Sequence, residues 1–227
     1  TPGINTSLTI KGSGEVTLDA SANTFSGDIV VDGGGYRVNG AADWGGATIA
    51  SSTSKTITLI NGGRLTLAPA LTFNPSNSAS SAYTLIRVGE GGGTFAIPEG
   101  STLQLDDAGQ LYGAGTLTKS GGGTLSLRNQ GTSFGGFTGN IVVTAGIIQP
   151  TGGAGFNLGT IDGSTTIQSG AALNLNGVSI TEAEPLFVNG AGLASAPIAA
   201  IYNSSATAAS FPGPVTLATS SSIGGAN

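Results

Sequence analysis

The chain contains no cysteine, no histidine and no methionine, and the first two absences each close a class of chemistry. Without cysteine there is no disulfide framework and no thiol nucleophile, so packing and backbone hydrogen bonds must hold the fold. Without histidine the usual general base and the commonest neutral metal ligand are missing; the usual zinc sites and Ser–His chemistry go with them. Charge is scarce as well. Only 8% of the 227 residues are charged, and the seven Lys and Arg are scattered singly. They leave no electrostatic footprint for a phosphate backbone, so nucleic acid is not an expected partner. No run of 18 apolar residues occurs, so no helical membrane insertion of this segment is expected, and no basic start followed by an apolar stretch reads as an export signal. Thr1 opens the sequence, and Pro214 to Asn227 reads like the start of a further strand and turn. Both ends are expected to be cuts in a longer chain.

What the sequence does have is glycine and aliphatic residues. Forty glycines stand beside a hydrophobic fraction of 38% and a net charge of only −5, which is more apolar surface and less charge than a disordered segment carries. Short alternating runs dominate, among them Leu8-Thr9-Ile10, Val16-Thr17-Leu18, Ile57-Thr58-Leu59, Leu65-Thr66-Leu67, Leu103-Gln104-Leu105, Leu125-Ser126-Leu127 and Leu173-Asn174-Leu175. Period two means strands with one buried face. Between them lie turn signals such as Gly12-Ser13-Gly14, Asn61-Gly62-Gly63 and Gly121-Gly122-Gly123. No substantial helix is expected.

Strands this short and evenly spaced suit a sandwich, a barrel or a solenoid, and an internal repeat separates the three. Gly12, Gly14, Val16 and Leu18 match Gly121, Gly123, Leu125 and Leu127 at one common offset; after a three-residue insertion, Gly27 to Val31 matches Gly139 to Val143. Gly62 to Leu67 matches Gly170 to Leu175 at nearly the same offset as the first pair. Residues 1–108 and 109–227 therefore read as two copies of one module, continuous as one rod. Recurring glycine turns followed by Leu-x-Leu strands are what stacked coils need. At roughly 20 to 25 residues per rung, with about 4.8 Å of rise, about ten rungs and ~50 Å are expected.

The stretch from Gly113 to Leu127 (GAGTLTKSGGGTLSL), continued by Phe137-Thr138-Gly139-Asn140-Ile141-Val142-Val143, closely resembles the passenger-associated repeat of bacterial autotransporters. A degenerate copy runs from Leu8 to Val38. The resemblance implies a right-handed parallel β-helix, carried to the cell surface or beyond. No translocator barrel, serine-protease domain or autocleavage signature accompanies it.

The remaining candidates for chemistry have plain structural readings. Asp106-Asp107 and Glu182/Glu184 are the closest carboxylate pairs, and both sit beside turn residues where acids are commonly just solvated. Adjacent Asp106 and Asp107 should point to opposite faces of an extended chain. Arg64 and Arg87, separated by the length of one rung, are candidates to stack. Gly113 to Ser120 imitates a phosphate-binding loop but has Thr118 where that motif needs glycine, so Lys119 reads as a solvent-facing residue. Phe25, Phe134 and Phe137 read as plugs under corners. Trp44 is the one candidate ligand contact: an indole in a loop-like stretch that reads equally as a platform for sugar rings or as a cover over a core edge.

The expectation is an all-β, non-enzymatic, cofactor-free and extracellular structural solenoid: a stalk, fibre or matrix unit that partners itself end to end or in tandem. An adhesin or glycan-binding passenger is the alternative, with host or matrix glycans as partners. A carbohydrate-active β-helix enzyme ranks below both, since fold alone is no evidence for it.

Overall fold

The computed structural model describes residues 7–19, 27–40, 43, 55–75, 84–107, 109–128, 136–151, 157–194 and 198–225. Among the described residues, twenty-one strands are distributed over three sheets of five, nine and seven strands, and every pairing between these strands is parallel. The first sheet runs from Leu8–Lys11 to Leu111–Tyr112, the second from Glu15–Thr17 to Val215–Leu217, and the third from Thr72–Phe73 to Ile223–Gly225. Strands visit the faces in turn and pair with the strand one circuit later, which is a β-solenoid. Circuit length varies: Glu15 pairs with Gly35 after a short circuit, whereas Gly63 pairs with Gly93 after one half as long again, beyond the range read from the sequence. Twenty-one strands amount to about seven full turns rather than ten. Nine strands in the longest sheet span about 40 Å at ~4.8 Å per step. The shortfall arises because, among the described residues, some circuits carry no strand on one face: the third sheet begins only at Thr72–Phe73 and the first ends at Leu111–Tyr112.

Alternation in sequence becomes columns in space. On the first sheet Leu8, Ile29, Ile57, Ile86 and Leu111 stack in register, and beside them Ile10, Val31, Leu59 and Val88. On the third, Phe73, Leu103, Leu125, Ile148, Leu173, Ile201 and Ile223 form one column. Apart from Ile223 at the open end, these columns meet in one continuous core. A fully buried Leu or Ile contributes on the order of 1.5–3 kcal/mol, and each layer covers the one below it. Outside the third sheet a polar ladder runs in the same direction. Gln149 Nε2 donates to Ser126 Oγ at 3.0 Å, and Asn174 Nδ2 donates to Gln149 Oε1 at 3.1 Å and to Ser204 Oγ at 2.9 Å.

The two copies of the sequence repeat use the same local device on different faces. Leu8–Lys11 and Glu15–Thr17 lie on the first and second sheets, whereas their matches Leu117–Ser120 and Thr124–Leu127 lie on the second and third. Gly63–Leu67, on the second sheet, likewise matches Ala171–Asn174 on the third. The offset between the copies is thus four circuits plus one face.

The repeat glycines differ by what lies beneath them. A Cβ on Gly139 would overlap the Gly115 carbonyl; one on Gly123 would overlap the carbonyls of Pro98 and Ser101; and Gly121 holds a left-handed φ of +77° above Ile97. Gly12 and Gly14, in the first described rung, have nothing within 4 Å of such a Cβ. Gly139→Ala should therefore cost at least about 2 kcal/mol in urea unfolding, as overpacking does, while Gly14→Ala should stay within about 0.5 kcal/mol. Equal losses at the two positions would contradict the stacking argument.

Candidate functional site

The strong repeat surrounds an internal cation. Alternation along Leu117-Thr118-Lys119-Ser120 puts Lys119 on the same inward face as Leu117, and both are fully buried. Lys119 occupies the centre of the longest column of the second sheet, Val16, Tyr36, Leu65, Phe95, Lys119, Val143, Ile167, Val188 and Leu217. Its ammonium donates to the carbonyl oxygens of Gly121 at 2.5 Å, Gly123 at 2.5 Å and Ala145 at 2.7 Å. Three N–H donors thus meet three acceptors, which binds the glycine corner of one rung to that of the next. Burial pulls the group down to about 7, against carbonyls that favour the charged form. The solvent-facing reading of Lys119 is corrected: the strand's period, not its resemblance to a nucleotide loop, decided which way the side chain points.

The other repeat positions fall into place around this corner. Leu125, Leu127 and Phe137 are wholly buried, the last as the expected plug, and Gly27 and Gly139 are buried too. In the degenerate copy Val16 is 40% exposed and Leu18 only packs against the core from its edge. Trp44, Phe25 and Phe134 lie outside the described residues.

Acidic residues divide by depth. Glu184 is 1% exposed, which corrects its reading as a solvated turn acid. Its Oε2 accepts the Gly159 N–H at 2.8 Å and its Oε1 accepts the Thr165 hydroxyl at 3.1 Å. Thr165 is the polar interruption in the inward column of Leu117, Ile141, Leu186 and Val215, so the carboxyl satisfies a hydroxyl that the core would otherwise strand. Burial outweighs those two donors and raises Glu184 to about 7. Asp106 is raised by burial, then by the adjacent Asp107, with Arg128 and Asn74 pulling the other way. Asp106 Oδ1 and Asp107 Oδ2 are both buried without a hydrogen-bond partner among the described residues. Among those residues no three Asp or Glu gather in a way that would hold a metal ion.

Arg64 and Arg87 do not stack in one column. Arg64 lies on the second sheet and pairs with Glu15 at 3.3 Å, beside Thr66 Oγ1, which donates to the same carboxylate at 2.6 Å. Arg87 faces outward from the first sheet, where a cavity of about 450 Å³ opens at the corner between the first and second sheets. Two successive corners line it: Gly89, Glu90, Gly91 and Gly92 from one rung, then Ala114, Gly115 and Thr116 from the next. Sequence reasoning named Arg87 but not this groove, and the glycine-rich corners at Gly89 to Gly93 and Gly113 to Gly115 were the signal for it.

Glu184 makes folding depend on pH. Its folded value of about 7 exceeds the ordinary 4.5, so the folded state holds the proton more tightly; the stabilisation is complete below pH 4.5 and is lost as pH rises through 7. The contribution of Glu184 to stability should fall by up to about 3 kcal/mol over that window, and Glu184→Gln should flatten that limb in denaturation titrations at stepped pH. An unchanged slope in the variant would contradict the assignment.

Comparison with known proteins finds similarity over part of the chain. No family model matches the chain, and no solved structure matches it. Over 138 residues, 60% of the chain, it is 33% identical to the "Adhesin BmaC autotransporter" of Brucella suis biovar 1 (strain 1330). The matched stretch is 4% of that protein's length. The chain is thus similar, over a limited segment, to an autotransporter adhesin.

Proposed function

We propose that this chain is a rod segment of a surface-exposed passenger, exported by a bacterium and held outside the cell, whose principal role is structural and whose corners display an adhesive surface. The observation that carries the reading is the parallel stack itself, in a chain similar to part of an autotransporter adhesin. A solenoid suits export as an unfolded strand: each rung contacts mainly its neighbours, so rungs add one after another on the far side of a membrane without distant partners. Lack of cysteine leaves nothing to misoxidise on the way. Labelling of the parent cells with an antibody to residues 85–128 tests the location: intact cells should stain, and staining that needs lysis would contradict it.

Self-association belongs to the same proposal. In the last described rung the inward row has no layer above it. Val215 is 42%, Leu217 52% and Ile223 67% exposed, beside unpaired strand edges. At the opposite end Val16 is similarly uncovered. Rows of apolar side chains next to open N–H and C=O groups template a further strand. The chain as given should gain mass with concentration in sedimentation velocity, and Leu217→Lys combined with Ile223→Lys should abolish the gain while circular dichroism stays the same. A wild-type chain that remains monomeric throughout would contradict end-to-end pairing.

A further inference from the structure

Six of the seven cationic side chains are committed within the protein. Lys11 pairs with Asp32, and Arg37 and Arg64 pair with Glu15. Lys119 is enclosed by carbonyls, Arg128 donates to the Asp106 carbonyl, and Lys55 is buried near the charge of Asp28. Arg87 is the exception. It is exposed, and among the described residues no carboxylate lies within ion-pair distance of it. Its guanidinium folds over Gly89, where a Cβ would come within 3.3 Å of Nη1, and so it forms a wall of the 450 Å³ groove.

The floor of the groove is main chain. Gly91 and Gly92 have φ of +74° and +72°, and with Gly89 and Gly115 they present backbone in place of side chains. Glu90, Gly91, Ala114 and Thr116 carry N–H groups that no other described residue accepts. Tyr112 stands one strand beyond Arg87 in the same outward column of the first sheet. A guanidinium, unused amide donors and a glycine-rich floor are elements that hold a sugar ring bearing a carboxylate. Glu90, the one acid of the lining, accepts hydroxyls and repels polyanions of high charge density, as does the net charge of −5.

We infer that the corner groove at Arg87 is a binding subsite for an acidic sugar residue, with the Arg87 guanidinium receiving the carboxylate and the corner amides receiving the ring hydroxyls. The inference rests on the adhesive reading for its biological setting but not for its chemistry.

The test is calorimetric titration of the purified chain with a uronic-acid oligosaccharide, and with the same oligosaccharide after its carboxyls are reduced to alcohols. The acidic form should bind weakly but saturably, and the neutral form at least about tenfold more weakly, as loss of a bidentate charge-assisted contact costs. Arg87→Ala should abolish binding and Arg87→Lys retain part of it. Glu90→Gln should leave binding intact or tighten it. Because Arg87 is exposed, the variants should keep the wild-type spectrum and Tm. Equal binding of the neutral form, unchanged binding by Arg87→Ala, or no binding by the wild type overturns the subsite. Surface exposure of the chain without uronate binding would leave the passenger reading standing and this one refuted; uronate binding by a chain that stains only after lysis would do the reverse.

Discussion

Everything in this molecule depends on how closely one circuit of backbone can lie on the next. Parallel ladders fix the spacing of strands on the flat faces, but at the corners the chain must turn and still meet the carbonyls of the rung below. The Gly139 N–H reaches the Gly113 carbonyl at 3.2 Å, and the Gly123 N–H reaches the Ile97 carbonyl at 2.9 Å. A side chain at either position would occupy the space that the lower backbone fills. At such corners glycine is therefore a requirement of stacking.

Two polar side chains in the core show what else the stack tolerates. Lys119 and Glu184 stand in or beside columns that are otherwise apolar, and each is enclosed by partners that answer it: three carbonyls for the ammonium, an amide and a hydroxyl for the carboxyl. An uncompensated charge at such depth would be prohibitive, whereas these groups fasten specific corners at specific heights. Apolar columns alone slide with little penalty, because one Leu resembles the next. A cation that finds its acceptors only at Gly121, Gly123 and Ala145 fixes the register of two rungs.

The fold class was legible because period two and glycine corners are local signals. The columns of Leu103, Leu125 and Leu173 follow directly from their Leu-x-Leu runs. Lys119 was legible on the same rule, in step with Leu117 and out of step with Thr118, and a resemblance to a nucleotide-binding loop drew the reading away from it. The number of turns was not legible, because circuit length is set by corner residues that obey no period. Nor was the face each copy of the repeat would occupy: the offset between Gly12 and Gly121 does not say how many circuits it contains. The groove escaped for a related reason, since its lining joins Arg87 to Thr116 across two rungs and only the register brings them together.

Stacking in a single continuous register is the central claim, and the lack of cysteine makes it directly measurable, since introduced cysteines are the only labelling sites. Thr94, Thr118, Thr166 and Thr216 share one outward column of the second sheet. Spin labels on cysteines placed at Thr94 and Thr166, and then at Thr94 and Thr216, should give electron–electron distances that grow with the number of intervening strands, about 14 Å and about 24 Å between backbone positions. Distances that fail to increase along the column, or that scatter broadly, would contradict the stack.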